Sequence, residues 1–265
     1  MSVTPSQDWN PGAYARFRGL RLRPALDLIA QLGELPDGDV VDLGCGDGAA
    51  AGALAARFPG RRLVGVDASP AMLEKAAGYG QKVLADITLW QPDSPPALIF
   101  SNAVLQWLPD HAALMPRLAG LLAPGGVLAV QMPRQQGAPS HRFLRDIAAA
   151  MFPDRFEFHG WQSPVAPAAD YWRMLAPLGR VTAWETEYVQ ELGPVAEGHP
   201  VRAFTGSTAM RPFLDKLSAD EAQAFTAAGE VPHAAVAAAV DVAGGAADDA
   251  LRVHPRVCGV VEDPL

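Results

Sequence analysis

The sequence, 265 residues long, predicts an α/β fold built on a mostly parallel sheet. Short apolar runs ending in Asp or Gly alternate with helical patterns, the rhythm of strands joined by crossover helices. The clearest run, Val40-Val41-Asp42-Leu43, breaks into Gly44-Cys45-Gly46-Asp47-Gly48 and passes at once into a helical stretch. A buried strand that turns through glycines into a helix brings backbone close to a ligand in the crevice above the sheet. The composition, 49% hydrophobic and 19% charged, is that of an ordinary globular chain.

Taken in order, Pro24–Leu32 reads as a helix packed on the sheet. Strands are expected at Val40–Leu43, Arg62–Val66, Lys82–Ala85, Ala97–Ser101 and Val127–Gln131. Helices fall between them near Ala49–Arg57, Pro70–Gly78 and His111–Leu122. Ser69 is a plausible N-cap ahead of Pro70, a residue suited to the first helical position. Leu114, Leu118, Leu121 and Leu122 recur at helical spacing, and Pro124-Gly125-Gly126 ends that pattern. Residues 133–168 are Pro-rich and weakly periodic, giving loops and one helix around His141–Met151. A helix at Tyr171–Leu178 and a strand at Arg180–Val189 follow. Residues 190–249 are Ala-rich and mostly helical, and Ala250–Val261 is the last strand, pairing antiparallel with Arg180–Val189 at the sheet edge. With no linker in sight, the reading is one domain over 1–265. It has an N-terminal helical cap at 1–35, a core at 36–133 and a helical lid insertion at 190–249.

Several functions are disfavoured. Apolar runs break well before the 18 residues of a membrane span, and Met1-Ser-Val-Thr-Pro-Ser-Gln-Asp lacks the basic and apolar regions of a secretory signal. Cys45 and Cys258 alone exclude a disulfide scaffold and suit a reducing cytoplasm. A net charge of −8 opposes bulk capture of nucleic acid. No His/Asp/Glu cluster has metal-ligand spacing, so no metal is expected. Of the 21 basic residues 18 are Arg, whose planar fork suits a carboxylate or phosphate ligand as readily as a surface ion pair.

Gly44-x-Gly46-x-x-Ala49 matches a dinucleotide fingerprint loosely. Asp42 discriminates. A pyrophosphate at that turn would be repelled by a nearby carboxylate, whereas a ligand carrying an ammonium and a sulfonium tolerates it, which favours S-adenosylmethionine over NAD. Asp67, which lies 19 residues after Gly48, is placed to accept both ribose hydroxyls. Asp86 is placed to accept from an adenine amino group, with Ile87 covering the ring. Asn102, after Phe100-Ser101, is the natural partner for the methionine end, and Trp107 is either a wall of the transfer cavity or a core residue.

These motifs resemble class I S-adenosylmethionine-dependent methyltransferases, and more narrowly the trans-aconitate 2-methyltransferase family. The narrower likeness rests on Asp8-Trp9-Asn10-Pro11 with Tyr14, Phe17 and Arg21-x-Arg23-Pro24, and on Val66-Asp67-x-Ser69-Pro70-Ala71-Met72-Leu73. It continues in Leu105-Gln-Trp-Leu-Pro-Asp-His111, Gly125-Gly-Val-Leu-Ala-Val-Gln-Met-Pro133, Pro139-Ser140-His141, Met210-Arg211-Pro212 and Pro255-Arg256. The resemblance implies a Rossmann-like seven-stranded sheet, mostly parallel with an antiparallel last strand, and a helical lid insertion. It implies a cofactor site of Asp42, Gly44, Gly46, Asp67, Ala68, Met72, Asp86, Ile87, Asn102 and Ala103. It implies a carboxylic-acid substrate held by Tyr14, Arg23, Trp107, His141 and Arg211. Because a carboxylate is already ionised at neutral pH, no general base is required, and positioning alone does the work. The chain departs from the family pattern at Ala49-Ala-Ala51, where hydroxyl and amide side chains are expected, and at Arg134-Gln135, where Asp-Asn is expected. The alternatives are a methyltransferase for another small metabolite with a repurposed lid, or a cofactor-binding relative without turnover.

Overall fold

The structure, a computed structural model, describes residues 18–188, 190–191, 205–206, 209–229, 252–253 and 256–264. Tyr14 and the Ala-rich run at 234–247 lie outside the described residues. The chain divides into two compact units: residues 1–134, 164–186 and 257–265 form one, and residues 135–163 and 187–256 the other.

In the first unit a helix, α1 (Arg18–Ala30), precedes β1 (Val40–Leu43), α2 (Ala51–Arg57), β2 (Leu63–Asp67), α3 (Pro70–Lys75) and β3 (Gln81–Leu84). Then come β4 (Leu98–Asn102), a 3₁₀ turn at Leu105–Trp107, α4 (His111–Ala119) and β5 (Val127–Pro133). Residues α6 (Ala168–Leu175), β6 (Gly179–Glu187) and β9 (Arg256–Pro264) complete it, apart from a residue at a boundary. The sheet runs β3-β2-β1-β4-β5-β9-β6. Strands β1 to β5 are parallel to their neighbours, and β9 is antiparallel to β5, with Val127 opposite Glu262.

Period-two alternation assigns the strand residues to two layers. Val41, Leu43, Val66, Ile99 and Leu128 pack with Leu114, Leu118 and Tyr171 of α4 and α6. Val40, Leu63, Leu98, Phe100 and Ala129 pack with Leu28, Ile29 and Leu54 of α1 and α2. Asp42, between two residues of the first set, therefore lies in the second layer.

Helix α1 starts six residues before the expected Pro24, so proline stands inside the helix. Burial of Ala25, Leu28 and Ile29 on the sheet outweighs the lost backbone bond, and i→i−3 bonds from Gln31 and Leu32 close the last turn. Helix α3 follows the expected start: Ser69 is the N-cap, its Oγ accepting from Met72 N–H at 3.2 Å. Ser69→Ala should lower stability by about 1 kcal/mol in chemical denaturation, with the cofactor affinity retained.

The second unit contains α5 (Pro139–Met151), β7 (Gln190–Glu191), α7 (Arg211–Leu214), α8 (Ala219–Ala228) and β8 (Arg252–Val253). Leu144, Ala148, Phe156, Met210 and Phe225 form its core. Ser218 and Glu221 make a reciprocal capping box at α8, and Arg155 donates to both Glu221 carboxylate oxygens. Two expectations change here. Residues 190–249 begin with a strand, because β7 pairs antiparallel with β8. The single last strand expected at 250–261 is described as two, β8 and β9, with residues 254 and 255 outside the described residues.

Candidate functional site

The parallel strands deliver their C-terminal ends to one edge of the sheet, where an α/β fold opens its crevice. Gly44, Gly46 and Gly48 take φ of +82°, +54° and +86°, the left-handed region that favours glycine. A Cβ on Gly44 would meet Val104 Cγ2 at 2.4 Å, whereas a Cβ on Gly46 would meet nothing within 4 Å. The first glycine is therefore required by packing, and the second faces open space. Gly44 and Cys45 N–H both donate to Val66 O, at 2.7 and 2.9 Å, which ties the turn to β2.

Asp67 closes that tie. Its Oδ2 accepts from Gly46 N–H and its Oδ1 from Ser69 N–H, both at 2.8 Å.

Asp42 is only 3% exposed and lies beneath the loop. Its Oδ2 accepts from the Tyr79 hydroxyl at 2.6 Å. Burial, opposed by that hydrogen bond and reinforced by the Asp67 charge, raises the Asp42 carboxyl to about 7. Burial and the nearby Asp42 charge also push the Cys45 thiol and the Tyr79 phenol up, so neither is an activated nucleophile. Tyr79 was not foreseen. It lies 37 residues from Asp42 in the chain. Its ring occupies the space that a Cβ on Gly65 would enter, at 2.9 Å.

Asp86 stands just past β3. Its Oδ1 accepts from both the N–H and the hydroxyl of Thr88, each at 2.8 Å, capping a short turn. Ile87 is 5% exposed and belongs to the core layer of α4, so it offers a ligand little more than an edge. Met72 is likewise buried, while Ala68 is exposed.

Beyond β4, Ala103 has φ +56°, an uncommon conformation for a residue with a Cβ. Its carbonyl accepts from Gln106 Nε2 at 2.7 Å and its N–H donates to Gln131 O at 2.9 Å. Asn102 Oδ1 and Gln106 Oε1 are both buried and without a hydrogen-bond partner. Buried acceptors left unmade are costly, and in a crevice they indicate a donor supplied by a ligand. An ammonium fits that requirement, and Gly46 leaves the space beside the loop open, so this edge suits S-adenosylmethionine.

Trp107 is 44% exposed, which removes the reading of it as a core residue. The turn bearing it is braced by His111, whose Nε2 donates to Leu105 O at 2.8 Å and whose Nδ1 accepts from Tyr171 OH at 2.7 Å. The Leu105 carbonyl is acceptor-only and so fixes this tautomer. The brace reaches 60 residues along the chain, and no sequence pattern announced it.

The remaining substrate-side residues are divided between the two units. Arg23 is on the exposed part of α1. His141 is in the first turn of α5 beside Ser140 Oγ at 3.1 Å, and Arg211 begins α7; both belong to the second unit. Arg134 follows β5 directly: its Nη1 donates to Glu185 Oε2 at 3.3 Å, and its Nε is buried without a partner. Among the described residues no group of three or more His, Cys, Asp or Glu is placed to hold a metal ion, and no helix is long and apolar enough to cross a membrane.

Residues 14–184 match a family described as a methyltransferase domain. The chain is 43% identical over 227 residues to a trans-aconitate 2-methyltransferase of Methylobacterium radiotolerans, covering 82% of this chain and 86% of that one. It is 39% identical over 254 residues to the enzyme of the same name from an Azoarcus species, covering 93% and 95%. Among solved structures it resembles a Haemonchus contortus phosphoethanolamine N-methyltransferase bound to phosphomonomethylethanolamine and S-adenosylhomocysteine, with a TM-score of 0.50 and 17% identity. That match covers 92% of this chain and 53% of the other, so the chain spans about half the length of that enzyme, and the likeness is one of fold.

Proposed function

This chain belongs to the trans-aconitate 2-methyltransferase family, and from that premise we propose that it transfers the methyl group of S-adenosylmethionine to one carboxylate of trans-aconitate, giving a monomethyl ester. The observation that carries the reading is 43% identity sustained over 82% of the chain. The alternatives of a different acceptor or a silent relative have no such support.

The bound cofactor supplies a methyl group activated on a positively charged sulfur. The chain's own residues bind, orient and exclude water. Asp67 would accept from the ribose hydroxyls and Asp86 from the adenine amino group, with Ile87 at the ring edge. Asn102 Oδ1 would accept from the ammonium. Gly44, Gly46, Ala68, Met72 and Ala103 would line the cleft, with Asp42 supporting the loop from below. The acid would approach already ionised, so no residue has to remove a proton; the gain comes from alignment and desolvation of its reacting oxygen. Tyr14, Arg23, Trp107, His141 and Arg211 are proposed to hold it. The insertion at 190–249 is proposed as the lid of the expected fold, and a reducing cytoplasm as the setting.

The test is incubation with methyl-labelled cofactor and a panel of di- and tricarboxylates. Label should enter a base-labile ester of trans-aconitate, and Arg211→Ala should raise the KM for that acid at least tenfold. Label entering only a phenol or amine would replace the acceptor class, and unaltered kinetics in Arg211→Ala would remove that residue from the site.

A further inference from the structure

Among the described residues, three buried side-chain nitrogen or oxygen atoms lack a hydrogen-bond partner: Asn102 Oδ1, Gln106 Oε1 and Arg134 Nε. All three lie just at or beyond the C-terminal ends of β4 and β5, in one compact unit. Gln131 of β5 is in register with Asn102 of β4, and Arg134 follows three residues later. The first two atoms are acceptors and the third is a cationic donor. An ammonium satisfies acceptors but cannot satisfy Arg134. Its nitrogen requires an acceptor, and a positively charged fork is met best by a carboxylate.

We propose that Arg134 is a specificity-determining residue that holds a non-reacting carboxylate of the acid, an assignment that rests on the function proposed above. Glu185 acts as the anchor of the guanidinium. Its Oε2 accepts from Nη1 at 3.3 Å, while its Oε1 accepts from Ala168 N–H at 3.2 Å. Nη1 is thereby engaged, and the side-on edge containing Nε is the seat for the ligand. A tricarboxylate has two carboxylates besides the one that reacts, so a cation at this sheet edge would separate polyacids from monoacids. A purely structural ion pair accounts for little of the arrangement, because both side chains are more than a quarter exposed and such a pair contributes little to stability.

Titration calorimetry on protein loaded with S-adenosylhomocysteine, which allows binding without turnover, tests the assignment. Arg134→Gln should weaken trans-aconitate binding at least tenfold and leave the S-adenosylhomocysteine affinity within twofold of wild type. Glu185→Gln, which loosens the anchor but keeps the guanidinium, should weaken trans-aconitate binding less than Arg134→Gln does. Undiminished binding in Arg134→Gln overturns the proposal, as does an equal loss in Glu185→Gln, which would make the pair structural. If Arg134→Gln fails to fold, Arg134→Lys decides: a point charge without the fork should give a clear loss, and wild-type affinity would overturn the forked contact. If wild-type protein binds no trans-aconitate, the substrate reading falls first. The same comparison is then made with citrate and succinate, and failure of both to bind overturns the Arg134 assignment as well.

Discussion

Gly46→Ala should leave the protein folded and deprive it of cofactor. The Cβ added there meets no atom of the chain within 4 Å, so the fold bears only the left-handed backbone cost, about 1 kcal/mol. The new methyl would stand on the open side of the loop, where the cofactor is proposed to lie, and affinity for S-adenosylhomocysteine should drop at least tenfold. Gly44→Ala should behave in the opposite way. Its Cβ would collide with Val104 Cγ2 at 2.4 Å and Val104 Cβ at 2.8 Å, so overpacking adds to a similar backbone cost. The sum is about 2–5 kcal/mol. A melting-temperature loss of roughly 5–15 °C is expected for a domain of this size. Thermal melts and calorimetry on both variants check the contrast. Equal thermal losses would show that the two glycines are not separated by packing in this way.

The stability of the protein should fall as pH rises through neutrality, and Asp42 should be responsible. Its carboxyl is raised from 3.8 to about 7 by burial in the folded chain. Between those values the folded protein keeps a proton that the unfolded chain has released, so folding is favoured on the acid side and loses that contribution as pH passes about 7. From pH 6 to pH 8 the loss amounts to about 1 kcal/mol, or about 2–4 °C in Tm. Asp42→Asn, which can still accept from Tyr79, should flatten the profile. Tyr79→Phe removes the hydrogen bond that lowers the Asp42 value and should move the decline to higher pH. A wild-type Tm constant between pH 6 and pH 8 would show that Asp42 is ionised throughout.

The strands and the glycine loop were legible because their signals are local. Val40–Leu43 was read with its observed bounds, and the other four parallel strands within a residue or two, since an apolar run ending at Asp or Gly states its own limits. Asp67 was legible as an acceptor, but its bond to Gly46 N–H was not, because only the folded turn aims that N–H. Tyr79 and the His111–Tyr171 brace were invisible for the same reason: their partners are 37 and 60 residues away and follow no spacing rule. Pro24 misled the placement of α1, because a local breaker was overruled by burial. Arg134 was visible only as a charge at an unexpected place; its orphaned Nε is a property of packing.

Strand β9 sits between β5 and β6 in the sheet, yet it lies roughly 120 residues downstream of β5 in the chain. During synthesis the nascent sheet therefore has to wait for it. At about 5–20 residues per second that interval is roughly 6–25 seconds, during which the edge of β5 has no partner of its own. A bare strand edge recruits other strands, including those of neighbouring nascent chains. Expression yield of this protein should consequently depend on translation rate and temperature through that interval, independently of how stable the finished fold is.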